Sequence, residues 1–374
     1  MGYVAVQGGI TAIENSQKLN RYLRLRGASA PLSVTQIMEQ MGPLVDRVMS
    51  EGGLYSPFHA ALALKQASGD PLEASFLVRA FRSTLRRMTE SLPVRTDRMR
   101  ILRRISSAFK TIPGGQVLGS TSDYEQRILD FSLAEETKET QAETVQEFEE
   151  SASSPTLDSA STYSADSAPL APEDFGKVVD ILRAQGLVAP PPTTELRPAM
   201  DITQESVEFP LGRSGRLQML ARAETGGVLA LAYSSMRGYG SVHPTVAELR
   251  VGRVRVQIPH PFRTGETVTL GSIVVTEVEI VASVQRPEGE EKPTFSLGYG
   301  ACFGHNEVKA ISIGVLDRAM KSPSPHAPAE DQEFVLLHTD GIESSGFCSH
   351  FKLPHYVTFQ ADLNRLRDIR RNDE

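Results

Sequence analysis

An α+β protein is predicted, with helices gathered in the first third of the chain and a mostly antiparallel sheet in the second half. Three observations carry this. Apolar residues recur at three- and four-residue steps through the first ~130 residues, the period of amphipathic helices. From about residue 205, runs of β-branched and aromatic residues alternate with Gly and Pro turns, the pattern of strands. Between them lies a Glu-rich and then Ser-rich stretch with little to bury. Helices followed by strands, with no βαβ alternation, is an α+β order. The expected division is a mainly helical domain over 1–133, an acidic Ser-rich disordered linker over 134–172, and an α+β domain over 173–374.

The opening MGYVAVQGG reads as a strand and a turn. It lacks the basic-then-apolar layout of a signal peptide, so a cytoplasmic location is expected. Val34, Ile37, Met38, Met41, Leu44, Val45 and Val48 form one helical face, which Pro43 must kink or interrupt. Asp70, Pro71 and Glu73 make a helix start: an N-cap acid, proline at the first position and glutamate at the third. The stripe Leu72, Phe76, Leu77, Ala80, Phe81 and Leu85 is expected to face the core. Met99, Leu102, Ile105 and Phe109 continue the helical period until Pro113, Gly114 and Gly115 end it. After the linker come a short helix over 173–186, strands over 228–233, 254–258, 268–284 and 295–303, a helix over 306–320 capped by Asn306, and a final helix from 359 to about 370.

A hydrophobic share of 40% and a charged share of 23% fit a soluble globular chain of 374 residues. No apolar run approaches the ~20 residues that cross a bilayer, so no membrane partner is expected. Cys302 and Cys348 are the two cysteines, too few for an iron–sulfur cluster on this chain. Both are expected reduced and buried. Residues 135–150 hold seven Glu against one Lys, whereas Arg79, Arg82, Arg86, Arg87, Arg95, Arg98, Arg100, Arg103 and Arg104 crowd 79–104. These arginines read as solvated helix faces or subunit contacts. With a net charge of −7 and no stacking aromatics among the arginines, nucleic acid is not favoured as a partner.

The chemistry-bearing residues concentrate near the end of the chain. Three of the eight histidines, His338, His350 and His355, fall in one short stretch with Asp340, Glu343, Cys348 and Lys352. Pro354 excludes a regular helix across His350 and His355, and a turn there can aim both imidazoles at one ion. A hydrogen-bonded structural pair is the competing reading. Asp340, Glu343 and His338 are candidates for a third ligand or for holding the ligands in place. A second constellation, Gly212, Arg213, Ser214, Gly215 and Arg216, precedes an expected helix over 217–223 and suits an anion at a helix N-terminus. An ordinary turn is as good a reading. A third runs from Tyr233 through Arg237, Gly238, Tyr239 and Gly240, echoed by Gly298, Tyr299 and Gly300. Its glycines permit close backbone approach, in a ligand loop or a packed hairpin. Glu248, Glu277 and Glu279 alternate along strand-like runs and read as solvent-facing or paired.

Taken together, the segments YVAVQGG, DRVMSEGG, ALALKQASGD, RRISSAFKTIPGGQ, LALAYSSMRGYG, GYGACFG and SHFKLPHYV resemble the I subunit of the carbon–phosphorus lyase core complex. The resemblance runs from Tyr3 to about Leu363 and lapses in the Ser-rich stretch. It implies a transferase that, with its partners, replaces the adenine of ATP by an alkylphosphonate, and that alone releases the base from ATP or GTP. It implies partners of the G, H and J type and ATP-binding-cassette-like K and L proteins. The radical chemistry belongs to the J-type partner. It implies a divalent metal, zinc by expectation, at His350 and His355 next to J, and Mg accompanying ATP.

Breaking an N-glycosidic bond builds positive charge on the ribose, and the departing purine needs a proton. His338, Asp340 and Glu343 are the acid–base candidates from the cluster. Arg213, Arg216, Arg237 and Lys352 are the candidates for positioning the triphosphate. Two other classes remain open: a non-catalytic scaffold of the complex, and a free-standing metal-dependent nucleotide hydrolase.

Overall fold

The computed structural model describes residues 8–152, 176–189, 199–237, 243–285, 292–322 and 324–372. Residues 1–7 of the expected first strand, Pro190–Pro192 and most of the Ser-rich stretch lie outside them. Five helices open the chain: α1 (Gly9–Leu25), α2 (Val34–Gln40), α3 (Gly42–Gly52), α4 (Pro57–Gln66) and α5 (Pro71–Thr84). Pro43 sits in the first turn of α3 and so separates it from α2. Asp70 caps α5 as expected, accepting from the backbone N–H of Leu72 at 2.8 Å and of Glu73 at 3.2 Å.

The face of α5 that is buried is not the expected one. Ala74, Ser75 and Val78 are buried, while Phe76, Phe81 and Leu85 are 48%, 38% and 48% exposed. Close approach decides this: a Cβ on Gly52 of α3 would lie 2.6 Å from Val78 Cγ1. Small side chains let the two helix backbones meet; of the expected stripe Leu77 still packs against this core, while Phe76, Phe81 and Leu85 turn outward.

A four-stranded antiparallel sheet follows in the order β1 (Arg100–Ile105), β2 (Thr245–Pro259), β3 (Thr267–Gln285) and β4 (Thr294–Phe303). Three of these strands match the expected runs. Strand β1 corrects the expected continuation of a helix through 99–109. Its apolar spacing mimics a helix, but pairing with β2, from Arg100 opposite Arg253 to Ile105 opposite Leu249, wins. Ile112 to Gln116 is then a loop beside β1, and the Pro113 carbonyl accepts from Arg104 Nη1 at 2.6 Å.

Helix α6 (Lys138–Ala152) corrects part of the linker expectation: its Glu, Gln, Ala and Lys are good helix formers, although its described side chains are all exposed. Helices α7 (Val178–Ala184), α8 (Arg213–Arg222) and α9 (Thr225–Met236) come next. Helix α9 overturns the strand expected over 228–233. Only Val228 in that run is β-branched, and Glu224 caps the helix by accepting from Gly226 N at 2.8 Å and Gly227 N at 2.6 Å.

Helix α10 (Glu307–Ala319) lies against β4 with no room to spare. A Cβ on Gly298 would stand 1.9 Å from Gly314 O, and one on Gly300 2.0 Å from Ala310 O. The Gly298–Gly300 motif therefore serves helix-on-sheet packing. The largest core joins this sheet face to α8, α9 and α10, and to Val335 and Leu336 of α11 (Gln332–His338). A second core sits among α2 to α5. Helices α12 (Gly341–His350) and α13 (Tyr356–Asn372) bury no residue.

The carboxylates of β2 and β3 are paired, as one of the two expected readings had it, but they do not face solvent. Glu248 receives Arg104 Nε at 2.5 Å, and both side chains are 1% exposed. Glu277 receives Arg250, Lys177 Nζ at 2.7 Å, Thr96 Oγ1 at 2.8 Å and the Tyr299 hydroxyl at 2.9 Å. Burial alone would raise the Glu277 carboxyl, but Arg250 and Lys177 outweigh it and hold it down at about 2.

Candidate functional site

The His338–His355 stretch folds as α11, α12 and the turn before α13. His350 is the last residue of α12, and His355 immediately precedes α13, so Pro354 lies in the turn between them, as its missing N–H requires. The two imidazole centroids are 5.4 Å apart with the ring planes at 60°. His350 Nδ1 is hydrogen-bonded to the Phe347 carbonyl, and His355 Nδ1 to the Leu353 carbonyl at 2.6 Å. A carbonyl only accepts, so each Nδ1 carries the proton and each Nε2 keeps its lone pair free. Around the pair Phe347, Phe351, Tyr356 and Phe359 are 65%, 64%, 59% and 63% exposed. Among the described residues no group of three or more His, Cys, Asp or Glu side chains could hold a metal ion. The donors present suit two of the ligands of a divalent ion, and the remainder must come from elsewhere. Cys348 is exposed, not buried, because α12 packs none of its faces into a core.

The expected acid–base residues have distinct surroundings. Asp340 is the N-cap of α12, accepts from Ile342 N at 3.1 Å, and pairs with Arg79 Nη1 at 2.6 Å. Its carboxylate is thus held by a helix end and an ion pair. Glu343 is exposed in the first turn of α12. His338 is exposed at the end of α11, stacked on Phe334 with centroids 4.3 Å apart.

The expected phosphate cations do not form one cluster. Arg213 and Arg216 lie inside the first turn of α8 and not ahead of it, because Gly212 is the cap. Arg213 rests over the Tyr299 ring, 5.4 Å from its centroid, and Arg216 approaches Asp317 Oδ1 at 3.9 Å. Arg237 is exposed at the end of α9, and Lys352 is exposed in the turn after α12. Residues 238–242 of the third constellation lie outside the described residues.

The arginines of 79–104 are not simply solvated: Arg103 and Arg104 are fully buried, and Arg79 donates to the carbonyls of Glu51 at 3.0 Å and Arg222 at 3.2 Å. Sequence reading also missed Lys309, 1% exposed, whose Nζ donates to Ser50 Oγ at 2.8 Å. A lysine within the apolar run of α10 was the available signal. Desolvation lowers its ammonium from 10.5 to about 8, with Cys302 and Glu51 pulling the other way.

A folded-state value below the unfolded one means that between about 8 and 10.5 the unfolded chain holds the proton and the folded chain does not. Stability therefore rises with pH through that window. Lys309→Met should remove this rise and stabilise the protein at pH 7 by about 1–3 kcal/mol. Urea denaturation at pH 7 and pH 9.5 reads both effects. A methionine variant less stable than the wild type at pH 7 would show the ammonium to be well compensated.

Comparison with known proteins agrees with the resemblance read from the segments. The family model for a bacterial phosphonate metabolism protein (PhnI) matches residues 2–373. A putative C-P lyase subunit protein HtxH of Stutzerimonas stutzeri is 51% identical over 98% of this chain and 95% of its own length. Two alpha-D-ribose 1-methylphosphonate 5-triphosphate synthase subunits named PhnI are similar as well. The one from Escherichia coli (strain K12) is 44% identical over 98% of each chain. The one from Rhizobium meliloti (strain 1021) is 42% identical over 100% of this chain and 96% of its own.

Proposed function

Since the chain belongs to the PhnI family of bacterial phosphonate metabolism proteins, we propose that it works with partner subunits to displace adenine from ATP by an alkylphosphonate. In that reaction the C1′–N bond breaks and its electron pair leaves on the purine. A phosphonate oxygen forms the new bond to C1′, and the purine collects the proton that the phosphonate gives up. The product is α-D-ribose 1-alkylphosphonate 5-triphosphate. Passage from a β-nucleotide to an α-phosphonate is an inversion, which a single displacement provides. The partners in this reading are the G-, H- and J-type subunits, with the K and L proteins joining them.

The observation that carries a shared site is the His350–His355 pair. Both rings are fixed by backbone carbonyls, both Nε2 atoms are free, and exposed aromatic side chains surround them. Such a half-site is completed by a neighbouring chain or by substrate oxygens. A divalent ion held there supplies Lewis-acid polarisation of a phosphoryl or phosphonate oxygen. Of the acid–base candidates, His338 and Glu343 are solvent-accessible, whereas Asp340 is engaged by Arg79. No described helix is long and apolar enough to cross a membrane.

The test is incubation of the purified chain with ATP or GTP, with free base followed by chromatography. Base release supports a catalytic subunit. Absence of base both from the chain alone and from the assembled complex supplied with phosphonate overturns the reading. A scaffold role, favoured by the exposed faces of α1 and α13, then remains.

A further inference from the structure

Between the helices and the sheet lies a cavity of 650 Å³ that none of the residues discussed for nucleotide binding lines. Its walls carry Arg82 from the last turn of α5, Arg87 just beyond it, and Arg222 from the last turn of α8. Ser50 and Gly53 close one side from the end of α3. The floor is apolar: Met200, Ile202, Val275, Ala301 and Phe303.

The charges in this cavity are unbalanced. Arg87 is matched, by Asp201 and by Glu90 at 3.8 Å. Arg82 and Arg222 form no salt bridge among the described residues, and the Nε of Arg222 is buried without a hydrogen-bond partner. Nearby Asp340 is already committed to Arg79 at 2.6 Å. Desolvation, then repulsion from Arg79 and Arg82, depresses the Arg222 guanidinium, and attraction by Asp340 and Glu343 only partly offsets them. Arg82 is depressed by burial, which the attraction of Asp201 only partly offsets, and Arg87 and Arg79 repel it. Behind Ser50 stands a further buried cation, the Lys309 ammonium, 2.8 Å from the Ser50 hydroxyl. Helix C-termini welcome one cation each, but facing cations in a half-buried space repel and are relieved by an anion.

The Arg222 stem packs on Gly53, whose site for a Cβ is 3.5 Å from Arg222 Cδ. Gly53 has φ +68°, a left-handed conformation at the end of α3 that favours glycine. The side chain is therefore held in place before any ligand arrives. A single phosphate would leave most of the space empty. The volume falls within the ~300–1,000 Å³ usual for small-molecule sites, with convergent cations at the wall and apolar surface beneath.

We propose that this cavity binds a polyphosphorylated small molecule of nucleotide size, its phosphate chain held by Arg82 and Arg222 and its organic part laid on the apolar floor. The identification of that molecule as the nucleotide substrate rests on the function proposed above; the anion site itself does not. It places the phosphates away from the first turn of α8.

Titration calorimetry of the full chain with tripolyphosphate, ATP and adenosine tests this. The wild type should bind both anions more tightly than adenosine. Arg82→Gln and Arg222→Gln should each weaken tripolyphosphate about 10-fold or more, the usual loss for a charge-assisted hydrogen bond. Thr89→Glu, at the exposed rim, sets an acid in the cavity without touching a core, and should weaken both anions too. Arg213→Gln and Arg237→Gln should bind as the wild type does. No binding of tripolyphosphate by the wild type, or wild-type binding by folded Arg82, Arg222 and Thr89 variants, overturns the proposal. Loss confined to the Arg213 and Arg237 variants also overturns it and moves the phosphates to α8 and α9. Tripolyphosphate binding that depends on Arg82 and Arg222, without base release from ATP by chain or complex, upholds the anion site and removes the nucleotide chemistry. Base release that is indifferent to both arginines does the reverse.

Discussion

His350→Ala and His355→Ala should each strip the metal from the assembled complex and abolish its C–P cleavage, while leaving subunit assembly intact. Two imidazoles are fewer than the three protein ligands that a tightly held zinc ion prefers, so the isolated chain should bind metal weakly. On the proposed function a partner chain or substrate would supply the missing ligands in the complex, and binding there should approach one ion per site. The geometry makes both histidines necessary. Each Nδ1 is spent on a backbone carbonyl, of Phe347 or Leu353, so each ring offers one ligand atom and neither can substitute for the other. Assembly should survive because both residues lie at the end of α12 or in the turn after it, and α12 buries nothing. Elemental analysis of wild-type and variant complexes purified in parallel reads the metal, and size-exclusion chromatography reads assembly. Two single variants that keep full metal and full activity would falsify the assignment.

The second large effect is on stability. Glu248→Ala should destabilise the protein by about 3–5 kcal/mol, because removing one partner of a buried ion pair leaves the other charge uncompensated. Arg104 and Glu248 are both 1% exposed, and Glu248 Oε2 also accepts from Val178 N at 2.9 Å. The loss would thus strike β1, β2 and the start of α7 together. Arg104 would retain the carbonyls of Pro113 at 2.6 Å and Gly176 at 3.2 Å, which carry no net charge. A double replacement, Arg104→Met with Glu248→Leu, should recover most of the loss, since an apolar pair of similar volume avoids the desolvation penalty. Urea unfolding midpoints decide the matter. A loss below ~1 kcal/mol in Glu248→Ala would mean that water or an anion reaches Arg104.

The elements legible in the sequence are those whose cause is local. Asp70 and Pro71 start α5 wherever the helix packs, because cap and proline act on their own first turn. Strands β2 to β4 show in their β-branched runs, and the fold class with them. The turn between His350 and His355 shows in Pro354, and the segments that carry the family likeness are present in the sequence as written. What the tertiary structure decided is which of several locally acceptable states has a partner. The 99–109 segment has a helical period, yet the edge of β2 and the Glu248 carboxylate draw it into a strand. The large apolar stripe of α5 was the obvious core face, but Gly52 admits only the small one. The meeting of Arg82 with Arg222, 140 positions further along, leaves no trace in spacing or composition, because it exists only once α5 and α8 end at the same cavity.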